Sequence, residues 1–377
     1  MSDPGSAGGP GPAATAAAEG RARHLIAMRR PDDALAVLGP AIAAAPDQAR
    51  LLGLAAHAHL VRADVRDDAG DPVGSRRDYE LGADLARRAA AADPHDEWGH
   101  RLLSIALVGL RSPYDAAHAA DRAVRLEPFS YLTHLQYARA LAAVGSPEAH
   151  ERAWAAGRRA AELAPQEPAV HLLMAQLAHP TSGSSPQGLA VAEQALRRTL
   201  ELDPGNSSAL NDLARIQLRR RRGVAAITGF VHALRVDPRN GAARHNLGVV
   251  LAGWLRPAHW TVLAAVWVAL LGQGAQPAPT GPWVVRSLCA LVVVAVVVVV
   301  GLRLRRAVPG QVGAVLRQLP VVSRWAAAWA WCLAVSVAGL VVSGLVPLEV
   351  GTLGVGVAFV AVHLGTVCSW VWAARSR

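Results

Sequence analysis

The sequence predicts an all-α protein: a solenoid of about six stacked helix pairs with a partial seventh, followed by a four-helix transmembrane domain. Three observations predict it. An Xaa-Pro step recurs along the first two thirds of the chain at a spacing near 34 residues. At Pro257 the composition changes, from Leu mixed with Ala, Arg, Asp and Glu to Val, Leu, Ala and Trp. Four apolar stretches follow that point, each close to the length of a membrane span.

The repeat is carried by Ala45-Pro46, Asp93-Pro94, Glu127-Pro128, Ala164-Pro165, Asp203-Pro204 and Asp237-Pro238, with proline spacings of 48, 34, 37, 39 and 34. A period near 34 marks stacked helix–turn–helix units. Proline closes each unit, because it cannot continue a helix and restricts the residue before it. With each proline at position 32, position 20 reads Ala34, Gly82, Ala116, Ala153, Ala192 and Ala226, and position 27 reads Ala41, Ala89, Ala123, Ala160, Thr199 and Ala233. In the following helix, position 7 reads Ala55, Leu103, Tyr137, Met174, Leu213 and Leu247, and position 8 reads Ala56, Ser104, Ala138, Ala175, Ala214 and Gly248. Small residues at these places let two helices approach closely.

This register resembles the tetratricopeptide repeat (TPR) family over roughly Ala14 to Trp254. The resemblance implies a right-handed α-solenoid and a protein or peptide partner held in a concave groove. It also implies that the first helix of each pair, helix A, lines that groove with positions 2, 5, 9 and 12. Those positions supply Arg50, His57, Trp98, Arg101, Arg139, Gln176, Asn211, Arg215 and His245. Arginines beside a tryptophan favour an acidic peptide. The chain departs from the family at position 4, where Leu52, His100, His134, His171, Leu210 and Arg244 replace an aromatic, and at Arg21, which takes a Leu position. Asn211, Arg215 and Asn246 lie where some family members clamp a C-terminal carboxylate. The chain has no lysine and a different order, so the clamp is not carried over.

The excess length of the second repeat, roughly Arg62 to Arg77, is expected as a solvated loop. It carries Asp64, Asp67, Asp68 and Asp71 without the full calcium-loop pattern. Thr181 to Gln187 is expected as a second loop. Residues 1–13 are expected as a disordered lead-in, since this Gly/Pro/Ala-rich stretch lacks the charged and apolar regions of a signal peptide. The array then covers 14–256 and the transmembrane domain 257–377.

The membrane helices are expected at about 258–274, 282–302, 325–346 and 351–372. After Pro257 the chain holds eight arginines and one acidic residue, Glu349. Arg303, Arg305, Arg306, Arg317 and Arg324 separate the second and third segments, and Arg375 and Arg377 follow the fourth. The positive-inside rule therefore puts both termini in the cytoplasm of a multi-pass cell-membrane protein. His363 is the intramembrane polar candidate, and Arg286 is expected to snorkel to the interface. Pro257 falls at position 17, as Pro31 and Pro113 do. Gly241 to Leu255 is thus expected as a seventh helix A, with a membrane helix from Ala258 taking the place of its helix B. The run Arg219 to Arg222 could touch anionic headgroups.

The function classes narrow accordingly. The chain has no P-loop, no GxGxxG after a strand, no HExxH and no GxSxG, so no catalytic residues, and therefore no enzyme, are expected. Cys289, Cys332 and Cys368 lie in apolar segments without ligand spacing, so no metal or cofactor is expected. The basic balance comes mainly from the membrane half, so no nucleic acid is expected. All 38 basic residues are arginine, which with the Ala, Gly, Pro and Val content suggests coding from a GC-rich bacterial genome. An interaction scaffold is the leading reading. The alternative is a regulatory subunit or component of a membrane transport or secretion system.

Overall fold

The computed structural model of the protein describes residues 12–178, 185–274, 281–307, 324–346 and 348–375, and every regular element among them is a helix. The chain forms two compact units, one ending at Pro204 and the other beginning at Gly205.

The first unit is five helix pairs: α1 (Pro12–Ala27) with α2 (Pro31–Ala44), α3 (Ala49–Asp68) with α4 (Pro72–Ala92), α5 (Glu97–Gly109) with α6 (Pro113–Leu126), α7 (Tyr131–Val144) with α8 (Pro147–Leu163), and α9 (Pro168–Ala178) with α10 (Pro186–Leu202). Every second helix opens on proline, whose fixed φ and missing N–H suit the first helical position. Each ends one residue before the recurrent Xaa-Pro step, at a C-cap of Ala45, Asp93, Glu127, Ala164 or Asp203. The small-residue register is the packing surface. Ala34, Ala116, Ala153 and Ala192 are fully buried, as are Ala123, Ala160 and Thr199. At Gly99 a Cβ would lie 2.8 Å from the Ala90 amide nitrogen, so the backbones of α4 and α5 touch there.

The turns that follow α1, α3 and α5 share one device. Arg29 and Arg111 take positive φ of 54° and 59°, and Gly70 takes 76°. The next amide then reaches back to the preceding helix, Arg30 to the Leu25 carbonyl, Ser112 to Leu107 and Asp71 to Arg66, each at 2.9 Å. This is the Schellman closure, here with arginine in the left-handed position that glycine usually holds.

The expected loop from Arg62 to Arg77 does not form. Instead α3 and α4 have 20 and 21 residues, against 13 and 14 for α5 and α6. The insertion adds seven residues to each helix, close to two turns or about 10 Å. Two turns return each helix to the same face, so the added residues keep packing. Leu60 and Ala63 of α3 are buried, and so are Ser75 and Asp78 of α4.

The second unit contains one further pair, α11 (Ser207–Arg219) with α12 (Gly223–Val236), then α13 (Gly241–Gly274), α14 (Gly281–Ala307), α15 (Arg324–Leu345) and α16 (Leu348–Arg375). The break expected at Pro257 is absent: α13 is one helix of 34 residues with Pro257 inside it. The physical reason lies two residues earlier. Arg29, Arg111 and Arg221 (φ 58°) occupy register position 15, where the closing turn needs positive φ. The seventh unit has Leu255 there, packed against the apolar cluster of Val262, Val266, Trp329 and Val362. A turn would strain Leu255 and withdraw it from that cluster.

Among the described residues three helices are long and apolar enough to cross a membrane, Gly241–Leu271, Ala327–Leu345 and Thr352–Val371, where four were expected. In α14 the described apolar stretch is Val284–Val299, which contains Arg286. The closest approach in this bundle joins α15 to α16. A Cβ on Gly339 would lie 2.7 Å from the Gly354 carbonyl oxygen, and one on Gly354 equally close to the Gly339 oxygen.

Candidate functional site

The first helices of the pairs carry the sequence-expected groove residues. Six of them lie in the first unit. Arg50 of α3 is exposed, with Nε 3.3 Å from Glu19 Oε2. Arg101 of α5 forms a two-point pair with Glu97, Nε to Oε2 at 2.8 Å and Nη2 to Oε1 at 3.2 Å. His57 of α3 is part-buried, and burial and then the charge of Arg101 lower its pKa below the ordinary value. Trp98 lies flat on the Gly53 backbone, where a Cβ would meet its ring at 2.6 Å, and it packs against both neighbouring apolar clusters. Much of its surface is therefore spent on joining α3 to α5. Gln176 of α9 is exposed.

Arg139 of α7 differs from the other arginines of this face. Its side chain is exposed overall, and among the described residues it makes no hydrogen bond or ion pair. An arginine side chain without an internal partner keeps its fork of donors available.

Three of the expected residues lie in the second unit. Asn211 of α11 is buried; its Oδ1 accepts from Asn246 Nδ2 at 2.9 Å and its Nδ2 donates to Asp212 Oδ1 at 3.3 Å. Arg215 pairs with Asp212 at 3.1 Å. His245 of α13 is exposed. Asn211 is thus occupied within the fold.

The position-4 residues have a role that sequence reasoning missed. His134 Nε2 donates to the Pro128 carbonyl at 2.9 Å, His171 Nε2 to Pro165 at 2.8 Å, and Arg244 Nη2 to Pro238 at 2.8 Å. Each reaches back six residues to the repeat-closing proline and satisfies a carbonyl left free at the turn. The signal was available in the sequence as a donor at fixed distance from Pro. In the apolar C-terminal bundle, His363 bonds to the Phe359 carbonyl of its own helix at 2.8 Å. The buried histidine is His259. Its Nδ1 accepts from Trp329 Nε1 at 3.2 Å and its Nε2 donates to Thr366 Oγ1 at 3.0 Å, linking α13, α15 and α16. Among the described residues no three metal-ligating side chains converge.

Helix pairs at a 34-residue period, with small residues buried at positions 8, 20 and 27 in register after register, decide the repeat type. The array is a tetratricopeptide-like (TPR-like) helical solenoid. No protein-family model matches the chain, and no curated protein matches it in sequence. Among solved structures, the TPR chain is similar to a thermophilic TPR protein of Thermus thermophilus, at 18% identity and TM-score 0.44, covering 52% of this chain and 98% of that one. It is similar to PilW, a widely conserved type IV pilus biogenesis factor, at 17% identity and TM-score 0.44, covering 63% and 98%. YrrB, a TPR protein with an unusual peptide-binding site, matches at 15% identity and TM-score 0.33, covering 55% and 96%.

Proposed function

We propose that this TPR protein is a membrane-anchored interaction scaffold whose helix-A face holds an acidic peptide segment of a protein partner. The observation that carries the reading is Arg139. Arg50 and Arg101 already have carboxylates in Glu19 and Glu97, whereas Arg139 is unpaired among the described residues and open to a partner. A partner carboxylate would meet a guanidinium that no carboxylate of the fold already occupies, through a charge-assisted bond. His57, Trp98, Gln176, Asn211, Arg215 and His245 complete the proposed partner-facing set in register.

The anchor is the run of helices from α13 onward. We place four crossings in the bilayer, with α14 the second, since its 27 residues reach about 40 Å. Arg305 and Arg306 in its last turn put that end, the array and both termini on the cytoplasmic side. A transport role gains nothing from His363, whose bond stays within its own helix.

The test uses the full chain in nanodiscs with fluorescent ten-residue extended peptides differing only in the number of Glu residues. Acidic peptides should bind, and Arg139→Gln should weaken them about tenfold, the value of one charge-assisted bond. Equal binding of neutral peptides, or unchanged binding by Arg139→Gln, would sink the proposal.

A further inference from the structure

One residue in the second unit is at odds with its surroundings. Arg286, in the second turn of α14, is 0% exposed. Its Nε, Nη1 and Nη2 all lack a hydrogen-bond acceptor among the described residues. The expected snorkelling does not occur, because α15 closes over this part of α14. Ser287 Oγ donates to the Gly344 carbonyl at 3.2 Å, and a Cβ on Gly344 would sit 3.0 Å from Ala290 Cβ and 3.5 Å from the Arg286 oxygen. The guanidinium is therefore held inside the bundle.

A guanidinium cannot discharge itself by losing a proton. A buried cation without a counter-charge is among the least favourable placements a bundle can contain. The chain offers little relief, since one acidic residue follows Pro257. The position along α14 points to an external anion. Arg306 is exposed in the last turn, twenty residues on, or about 30 Å at helical rise. That distance equals the thickness of a hydrocarbon core. With Arg305 and Arg306 at one headgroup layer, Arg286 lies at the depth of the other, where lipid phosphates are abundant.

We infer that Arg286 is a binding site for a phosphate monoanion, supplied by the phosphodiester of an anionic lipid at the Gly281 end of α14. The fork of N–H donors suits two phosphate oxygens at once. This inference rests on α14 lying in a bilayer. Sedimentation of the full chain with membranes tests that placement separately from the site.

The experiment is thermal unfolding of the full chain in maltoside micelles, with added dioleoyl-phosphatidylglycerol, dioleoyl-phosphatidylcholine or inorganic phosphate. Phosphatidylglycerol should raise Tm by about 5 °C at saturation, and phosphatidylcholine should have little effect. Arg286→Gln should abolish the rise and Arg286→Lys should keep part of it. In micelles free of anionic lipid, Arg286→Met should be at least as stable as the native chain, because it removes an uncompensated charge. A matching rise with inorganic phosphate would confirm the anion site and assign it to free phosphate. An equal rise in Arg286→Gln, or none in the native chain with either anion, would overturn the inference. So would loss of stability in both Arg286→Met and Glu349→Gln without anions, since that pattern marks an internal counter-charge.

Discussion

Asp78→Asn tests the lengthened second hairpin at its centre. The Asp78 carboxylate is fully buried. Its Oδ1 accepts from Arg62 Nη2 at 2.7 Å, from Arg62 Nε at 2.9 Å and from His59 Nδ1 at 2.9 Å. Its Oδ2 pairs with Arg66 Nη1 at 2.8 Å, by charge rather than by an aligned hydrogen bond. Asparagine keeps the shape, removes the charge and turns a donor toward donors. Breaking a buried ion pair from one side costs about 3–5 kcal/mol. The arginine side chains are 19% and 35% exposed, and Arg62 keeps Asp32 at 2.9 Å, so both rehydrate in part. The expected loss is about 2 kcal/mol, below that range because partial exposure screens the pairs. Urea titration of the full chain in micelles, with native-state hydrogen exchange, measures it. In a solenoid the loss should be local, lowering protection in α3 and α4 while α7 and α8 keep theirs. A change below about 0.5 kcal/mol, or one spread evenly over the first unit, would show that the network is an ordinary surface feature.

Arg111→Gly should stabilise the first unit by about 1 kcal/mol, because glycine takes the φ of 59° without the cost of a Cβ; a lower urea midpoint would refute this. Acid should destabilise the same unit. His57, His59 and His100 all have lowered pKa values, from burial first and then, for His57 and His100, from the charges of Arg101 and Arg122. The folded state then binds fewer protons than the unfolded one, so stability is full above pH 6.5 and declines as pH falls through the folded values. A Tm that is flat or rising from pH 7 to pH 5 would contradict that sign. In the bundle, His259→Ala should cost about 1–3 kcal/mol through bonds to two other helices, and His363→Ala less than about 1. Equal losses in micelle unfolding would show that the His259 bonds carry no weight.

The sequence made the repeat legible because its period is enforced by sterics. Proline closes each pair, and a helix crossing without room for a side chain admits only Ala, Gly, Ser or Thr. Those constraints leave a mark at fixed positions. The insertion at Arg62 to Arg77 was read as a loop for want of such a mark. Its aspartates looked solvated, yet Asp78 just beyond them is buried against Arg62, Arg66 and His59, and no local pattern announces a pairing across two helices. The groove residues were placed by register alone, and register cannot say which arginine is already neutralised. Glu97 lies four residues before Arg101, a spacing readable on one helix, whereas Glu19 reaches Arg50 from another helix. His259 was overlooked because its value comes from Trp329 and Thr366, far away in sequence.

The unbroken α13 changes what the junction can transmit. A helix A, a turn and a membrane helix would leave two joints between the last repeat and the bilayer. One helix leaves none except Pro257, which lacks an amide hydrogen and so loosens one turn of the ladder. Thr261 Oγ1 donates to the Pro257 carbonyl at 2.9 Å, adding a bond on the C-terminal side of that turn. α13 packs against α11 and α12 and also against α14, α15 and α16, so the helix belongs to the repeat stack and the bundle at once. His259, two residues past Pro257, pins the second half to Trp329 and Thr366. Any tilt of the second half of α13 must therefore either carry α11 and α12 with it or bend at Pro257. The choice between the two is set by a single missing hydrogen bond against the packed face of Leu247, Val250 and Leu251. That face buries several apolar side chains, each contributing about 1.5–3 kcal/mol, while a proline kink redistributes one backbone bond. The packed face should hold its geometry, leaving α11 and α12 to follow the second half of α13.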